Sequence, residues 1–466
     1  MNKKLEIFKK SIFQKNVAVL GIGISNTPLI EFLVRLGARV TAFDKKSPEE
    51  LGTIYKKLDT LGVKLCLGNN YLHYLNHDII FKTPGMRYDI PELIAAKEKG
   101  SIITSEMEIF FDLCPAQIIA VTGSDGKTTT TTLIYKMLEQ QGYTCWLGGN
   151  IGKPLLNEIE NIHPNHKVIL ELSSFQLHTM KSSPDIAVIT NIAPNHLDIH
   201  KSMDEYVNAK KNIFLHQSQY GKLVLNFDND VTRGFEKEAL GDVIFFSRLK
   251  QFEGSMSKNI HISIINNAIT ININNNKEII NIDDIILPGT HNIENYMAAI
   301  GAVWGMVSTD NIKKVANTFK GVEHRIEFVR TINGIKFYND SIASSPTRTI
   351  AGLNSFEQKV ILIAGGYDKN IPFNELGKVI FNKAKKVVLI GKTADKIKQA
   401  ILDAANTFDH HFPIVKCNSL ENAVQEAFRD AKENDIILLS PACASFDMFK
   451  NFEDRGNKFK EIVKEL

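Results

Sequence analysis

The sequence predicts an α/β protein of three domains: a Rossmann-like parallel sheet over 1–106, a central α/β domain built on a phosphate loop over 107–321, and a second Rossmann-like α/β domain over 322–466. Three observations carry this expectation. Short continuous apolar runs alternate with helix-period segments along most of the chain, which argues parallel strands covered on both faces. A glycine loop ending in Lys127-Thr128 follows one such run. The stretch 259–286 breaks the rhythm with period-2 alternation of Ile and Asn, the pattern of half-buried antiparallel strands, and is expected as an added hairpin of the central domain.

In the first domain, strands are expected at 17–21, 39–44, 64–68, 78–82 and 101–104. The first runs into Gly21-x-Gly23-x-x-Asn26, a dinucleotide fingerprint without its third glycine, and Asp44 stands where a ribose-binding acid would be. Thr83-Pro84-Gly85 makes a second turn at the same carboxyl edge, where ligands of open parallel sheets bind. The two turns read either as a seat for a diphosphate or as structural turns only.

The central domain opens with Gly123-Ser124-Asp125-Gly126-Lys127-Thr128 between a strand and a helix start, the P-loop ATPase-type arrangement. Backbone N–H groups there face an anion, Lys127 reaches terminal phosphates and the Thr128 hydroxyl suits Mg²⁺. Further strands are expected at 144–147, 168–172, 186–190 and 223–226. Glu171 falls at a strand end, as a Mg²⁺-holding acid beside such a loop does. His196 and Asp198 follow the next strand and aim at the same edge. Lys210 lies in a helical segment, where periodicity alone predicts a solvent-facing charge. Asn295 lies just inside a helix whose start carries the cap-like Asn292. The third domain adds strands at 359–364, 387–391 and 436–440.

Composition bounds the function. The 466 residues are 44% apolar and 23% charged, ordinary for a globular protein. Fifty-five basic against 52 acidic residues leave a net charge of +3, too small to point to nucleic acid. No apolar run has membrane-spanning length, and residues 1–10 carry charge without an apolar core, so neither a membrane partner nor a secretory signal is expected. The scattered Cys66, Cys114, Cys145, Cys417 and Cys443 form no metal spacing and no disulfide framework, which fits a reducing cytoplasm. A monomer is expected.

Taken together, the Gly-Ser-Asp-Gly-Lys-Thr loop, Leu170-Glu-Leu-Ser-Ser-Phe-Gln176, Asn195-His-Leu-Asp198, Tyr206-Val-Asn-Ala-Lys210, Gly289-Thr-His-Asn292 and His324-Arg-Ile-Glu-Phe328 resemble the ATP-dependent Mur ligases of bacterial cell-wall synthesis. The resemblance covers essentially the whole chain. The block from Ser440-Pro-Ala-Cys to Glu453-Asp-Arg455-Gly456 points within that family to the members that add D-glutamate. The resemblance implies that ATP phosphorylates the alanyl carboxylate of UDP-N-acetylmuramoyl-L-alanine and that the amine of D-glutamate captures the acyl phosphate, releasing ADP and phosphate.

Carried over by position, it implies ATP contacts at Gly123, Ser124, Asp125, Gly126, Lys127, Thr128, Thr129, Asn295, Arg325 and Asp340, with Arg325 near phosphate and Asp340 near the ribose. It implies UDP-substrate contacts at Ile24, Ser25, Asp44, Lys45, Thr83, Pro84, Gly85, Asn150 and His196, and D-glutamate contacts at Ser344, Lys369, Ser445 and Phe452. A pair of Mg²⁺ ions would be held by Thr128, Glu171, His196 and Lys210, the last carbamylated by CO₂, and Lys127, Lys210 and His196 would be catalytic. The three domains would then bind the UDP-substrate, ATP and the amino acid in turn.

The chain departs from the family pattern in carrying Ile342 and Ser344 where better-known members have Lys and Thr, and Asp125 where Asn is common. An extra carboxylate near phosphates is unfavourable, so Asp125 is expected to point away from them. Sister ligases, a non-catalytic nucleotide-binding regulator and an NAD-dependent oxidoreductase are the competing readings. The Asp-Asn-Pro-Arg motif of diaminopimelate-adding members is absent, and Asp125 stands where alanine-adding members have His. Joint retention of Lys127, Glu171, His196 and Lys210 disfavours a regulator. The incomplete fingerprint and the separate phosphate loop disfavour an oxidoreductase.

Overall fold

The structure is a computed structural model that describes residues 2–466 except 24, 195–199, 253–258, 274–275, 369–370 and 405–411. Its contacts divide the chain into two compact units, 1–282 with 294–315, and 283–293 with 316–466. The α/β class and the three sheets are as the sequence predicts.

In the first unit, β1 (Asn16–Leu20), β2 (Arg39–Asp44), β3 (Lys64–Leu67), β4 (Ile79–Lys82) and β5 (Ile102–Thr104) form an all-parallel sheet in the order β3-β2-β1-β4-β5. The chain leaves β1 toward one side and returns at β4 on the other. This reversal opens a crevice at the carboxyl ends of those two strands. The Gly21 loop and the 83–85 turn are its rims.

The second sheet contains β6 (Gln117–Thr122), β7 (Cys145–Gly149), β8 (Lys167–Glu171), β9 (Ile186–Ile189), β10 (Lys222–Asn226), β11 (Asp242–Ser247), β12 (Ile260–Ile265), β13 (Ala268–Asn272) and β14 (Asn276–Asn281). Their order is β14-β13-β12-β11-β10-β9-β6-β8-β7. Strand β6 sits between β8 and β9, parallel to both, so this sheet too reverses direction beside its phosphate loop. The Ile/Asn stretch forms the expected sheet edge, as three antiparallel strands rather than two, with β12 parallel to β11. One apolar cluster runs from Leu5 and Phe32 through Phe110 to Leu170, Phe214 and Phe245, so the two sheets of this unit share a continuous core.

In the second unit, β15 (Glu327–Ile332), β16 (Ile335–Asn339), β17 (Val360–Gly365), β18 (Ala384–Ile390), β19 (Ile414–Lys416) and β20 (Ile436–Leu439) lie in the order β15-β16-β20-β17-β18-β19. Only β15 is antiparallel to its neighbour. The strands β11, β15, β16 and β19 were not among the sequence-based expectations. All five cysteines are free. No helix among the described residues is long and apolar enough to cross a membrane.

Candidate active site

Strand β6 is apolar and buried until Thr122, and the helix Lys127–Gln140 starts four residues after Gly123. Gly126 makes the turn between them with φ +77°, a left-handed conformation that suits glycine, and a Cβ there would run into Asn295 Oδ1. The same oxygen accepts from Thr130 Oγ1 at 3.2 Å, so Asn295 braces the loop from a second helix. Ser124 Oγ donates to the Ala193 carbonyl at 2.8 Å and shares a 2.9 Å hydrogen bond with the Tyr206 hydroxyl. Asp125 is exposed, and its main chain is pinned by Asn191 Oδ1 at 3.0 Å and Thr190 Oγ1 at 2.6 Å. Thr128 and Thr129 lie buried in the first helical turn, an end of the helix that favours an anion. Lys127 Nζ folds back on its own loop, donating to the carbonyls of Gly123 (3.0 Å) and Ser124 (2.8 Å).

Glu171 ends β8 directly opposite Val121 of β6. It is buried. Its Oε1 accepts from Asn150 Nδ2 at 2.8 Å, while its Oε2 has no hydrogen-bond partner among the described residues. A buried carboxylate oxygen left unpaired costs free energy unless a cation or donor takes it. Lys210, in the helix Met203–Lys211, is 2% exposed, which overturns the solvent-facing placement that periodicity predicts. Its Nζ donates to the Gly123 carbonyl at 2.8 Å and to Thr122 Oγ1 at 3.1 Å. Burial, and then the nearby Lys127 charge, hold its basicity well below that of an ordinary lysine, against the opposing pull of Glu171 and Asp125. Two lysines thus converge on one carbonyl, beside a half-satisfied acid. That set can accept polyphosphate and a divalent cation.

At the first sheet, Asn26 Nδ2 donates to the carbonyls of Leu20 and Gly21, both at 3.0 Å. An amide side chain therefore closes the turn where the fingerprint lacks its third glycine. A Cβ on Gly21 would lie 3.2 Å from Thr83 Cβ, so the two turns face each other closely. Asp44 Oδ2 accepts from the Ile22 N–H at 2.6 Å and Oδ1 from the Lys46 N–H at 2.9 Å, so its carboxylate shapes the loop first and any ligand hydroxyl must share it. Ser25 precedes the helix Asn26–Arg35 without a side-chain cap bond, Lys45 and Gly85 are exposed, and Thr83 and Pro84 are half-buried. Ile24 and His196 lie outside the described residues.

In the second unit, Asp340 follows β16 and is wholly buried. Burial pushes its carboxyl up to about 7, against hydrogen bonds from Ser440 Oγ (2.7 Å) and the Ile326 N–H (3.3 Å) and the charges of Arg325 and Arg348. Ser445 is buried, not a solvated cap. Phe452 begins the helix Phe452–Glu465, and its ring meets His324 edge-on at 6.0 Å. Ser344 is half-buried, and Lys369 lies outside the described residues.

Sequence spacing gave no reason to single out Arg455. It is 1% exposed and donates to Ser341 Oγ (3.0 Å) and to the carbonyls of Ser341 (2.8 Å), Cys443 (3.1 Å) and Ala444 (3.3 Å). It ties the Asp340 strand end to the loop that carries Ser445. Tyr206, Thr190 and Asn191 likewise escaped notice as supports of the phosphate loop, although Thr190-Asn191 sits at a strand end, which is a usable signal.

Three family profiles match the chain: the Mur ligase MurD-like N-terminal domain over 15–105, the Mur ligase middle domain over 121–303, and the Mur ligase glutamate ligase domain over 324–443. The UDP-N-acetylmuramoylalanine–D-glutamate ligase of Acetivibrio thermocellus is 61% identical over the whole of both chains. Those of Ruminiclostridium cellulolyticum and of Clostridium botulinum strain Hall are 55% and 56% identical, again over 100% of each chain. Among solved structures, UDP-N-acetylmuramate–alanine ligase from Thermotoga maritima aligns with a TM-score of 0.57 at 19% identity, covering 97% of this chain and 99% of its own. A UDP-N-acetylmuramoylalanyl-D-glutamyl-2,6-diaminopimelate–D-alanyl-D-alanyl ligase from Acinetobacter baumannii aligns at 0.55 and 14% identity, covering 100% and 98%; at such identities the two share the fold. With profiles matching from 15 to 443 and full-length relatives above half identity, the chain belongs to the Mur ligase family.

Proposed function

We propose that this protein is an ATP-dependent amide ligase that adds D-glutamate to UDP-N-acetylmuramoyl-L-alanine through an acyl phosphate, in cytoplasmic peptidoglycan precursor synthesis. The names of its full-length relatives support the choice of substrates. The observation that carries the chemistry is the convergence of Lys127 and Lys210 on the Gly123 carbonyl, beside Glu171 with its unpaired Oε2.

The chain acts as three modules, 1–106 for the UDP-substrate, 107–321 for ATP and 322–466 for the amino acid. Lys127 exchanges the Gly123 and Ser124 carbonyls for ATP phosphates, with Ser124, Asp125, Gly126, Thr128 and Thr129 supplying the loop's main chain and Asn295 bracing it. Arg325 and Asp340 serve phosphate and ribose. The loop at Ser25, Asp44 and Lys45 and the turn at Thr83, Pro84 and Gly85 seat the UDP moiety, and Asn150 serves the same substrate. Ser344, Ser445 and Phe452, with Lys369, receive D-glutamate.

The unpaired Glu171 Oε2 suits a divalent cation, with Thr128, His196 and Lys210 as the other holders. When bound, Mg²⁺ spreads the charge of the phosphoryl oxygens. Only a neutral amine adds CO₂, and the lowered basicity of Lys210 favours that form. Nitrogen bonds to carbon, a proton leaves, and the lysine becomes an anionic carbamate. The substrate's alanyl carboxylate then attacks the γ-phosphorus as the bond to ADP breaks, and the glutamate nitrogen attacks the acyl carbon as phosphate departs. The protein works as a monomer on small molecules, with no nucleic-acid or membrane partner.

The deciding experiment measures phosphate release over a panel of UDP-muramoyl acceptors crossed with amino acids, with ATP and Mg²⁺. Release is expected only with UDP-N-acetylmuramoyl-L-alanine and D-glutamate together. Preference for another pairing, or no release at all, refutes the assignment.

A further inference from the structure

We propose that Arg87 and Glu205 are a positioning pair that couples the 83–85 turn of the first sheet to the helix carrying Lys210, so that binding of the UDP-substrate sets the Lys210 amine in place. The proposal rests on the functional reading above.

Arg87 lies two residues beyond the 83–85 turn. Its guanidinium grips two carboxylates at once. It forks onto Asp89 at 2.8 Å (Nε–Oδ1) and 2.9 Å (Nη2–Oδ2), and onto Glu205 at 2.9 Å (Nη2–Oε1) and 3.4 Å (Nη1–Oε2). Glu205 stands in the first turn of Met203–Lys211, five residues before Lys210. Lys201 closes the ring, with its Nζ on Asp89 Oδ2 at 2.7 Å and its main-chain N–H on Glu205. Two cations and two anions from segments more than a hundred residues apart thus form one network, and the Arg87 and Glu205 side chains are only 22% and 18% exposed.

The same carboxylate faces the helix that follows Glu171. His178 Nε2 is 3.4 Å from Glu205 Oε1, and His200 Nδ1 is 3.9 Å from Oε2. His178 caps the helix Ser174–Leu177, which starts three residues after Glu171, and His200 Nε2 meets Ser174 Oγ at 3.0 Å. The substrate turn, the Glu171 strand end and the Lys210 helix therefore all register on Glu205. His178, His200 and Glu205 bring ligand atoms within 4.8 Å of one another, as a metal site would. Both Glu205 oxygens already face the Arg87 guanidinium, however, so a dication would have to displace a cation from them, and the ion-pair network is the better account.

An ordinary surface ion pair contributes little. This one is bidentate, shared with a second carboxylate and partly buried, the arrangement that holds geometry rather than merely adding stability. A shift of the short helix would move Lys210 off the Thr122 and Gly123 acceptors that fix its amine.

The test compares wild type with Arg87→Gln, Glu205→Gln and the double variant. In carbonate-depleted buffer, the half-saturating bicarbonate concentration and the KM for UDP-N-acetylmuramoyl-L-alanine should each rise about tenfold in Arg87→Gln, with the KM for ATP changed less than about twofold and the double variant no worse than the single ones. Hydrogen exchange gives a readout independent of turnover. The UDP-acceptor alone should slow amide exchange in 203–211 in wild type and not in Arg87→Gln. Equal slowing in both, no slowing in wild type, or a lowered melting temperature with both kinetic constants unmoved overturns the coupling. A wild type that binds the acceptor and shows the slowing, yet releases no phosphate, would refute the ligase reading and leave the coupling standing.

Discussion

Lys210→Met should separate stability from activity, and the size of the effect follows from the environment of the amine. The side chain is 2% exposed, with hydrogen bonds to the Gly123 carbonyl and Thr122 Oγ1 and a depressed basicity caused mainly by burial. In the unfolded chain the amine returns to its ordinary pKa of 10.5. Between the depressed folded value and 10.5 the unfolded state holds one proton that the folded state lacks, so this group costs stability as pH falls and restores it as pH rises. The slope is about 1.4 kcal/mol per pH unit. Methionine binds no proton. Wild type should therefore gain on the variant as pH rises toward 10.5, at up to about 1.4 kcal/mol per pH unit. Against this pH-dependent part stands a constant loss of two hydrogen bonds, about 1 kcal/mol each. Both tryptophans, Trp146 and Trp304, lie in the first unit, so urea unfolding followed by their fluorescence reads the right part of the chain. The buffers must be free of CO₂ and Mg²⁺. Phosphate release by the variant should be lost. A stability difference that stays constant as pH rises toward 10.5 would show that Lys210 keeps an ordinary basicity in the folded protein, and the argument for a CO₂-reactive amine would fail.

Lys127→Ala should abolish ADP release in the presence of acceptor and D-glutamate, and weaken binding of a fluorescent ATP analogue at least about tenfold, since a charge-assisted phosphate contact is lost; ADP release at the wild-type rate contradicts its role. Gly126→Ala places a Cβ on a left-handed residue and against Asn295 Oδ1, which costs about 1–2 kcal/mol for the conformation alone, so the KM for ATP should rise well above wild type; an unchanged KM would dissociate the turn from nucleotide binding. Burial pushes the Glu106 carboxyl up to about 7, against a 3.3 Å hydrogen bond from the Leu156 N–H. Because this acid stays protonated in the folded state while the unfolded chain ionises from 4.5 upward, stability is lost between those values, by up to about 3 kcal/mol above the folded pKa. Glu106→Gln, which keeps an acceptor for Leu156, should be more stable than wild type at pH 8 by up to that amount, with the gain vanishing toward pH 4.5 in chemical denaturation; a gain independent of pH refutes the assignment.

What the sequence revealed and what it hid divide by the range of the interaction. The phosphate loop is legible because strand, glycine turn, Lys127 and helix are consecutive, and each residue acts on its neighbours. Glu171 is legible because a strand's end is where its side chain meets the carboxyl edge. The burial of Lys210 is not legible from the Met203–Lys211 helix, because its acceptors, Thr122 and Gly123, lie 88 and 87 positions away. Arg455 is hidden for the same reason, since a buried arginine satisfied by carbonyls rather than a carboxylate leaves no charge pattern. Other omissions had readable signals. Val243-Ile-Phe-Phe246 is an apolar run bounded by Gly241-Asp242 and Ser247, and it forms β11. Asn333 and Gly334, with φ of +49° and +77°, make the two-residue hairpin turn between β15 and β16, for which an Asn-Gly pair is the strongest short-range sign. Strand β19, three residues long, carries too few side chains for any period to show.

The meeting of Lys127 and Lys210 at Gly123 also bears on how the proposed carbamate would be used. Two ammonium groups on one carbonyl in a buried site would repel, and burial together with the Lys127 charge lowers the basicity of the deeper one. Glu171 and Asp125 pull the other way, but Glu171 gives one oxygen to Asn150 and Asp125 is exposed. Conversion of the amine to a carbamate makes the group an anion. The carbamate attracts Lys127, and its charge adds to that of Glu171, whose unpaired oxygen suits a divalent cation. On this view the modification is a condition for cation binding rather than an ornament of it. Cation affinity should then fall with CO₂ removal even when no nucleotide is present, because the electrostatic conflict resides in the protein itself.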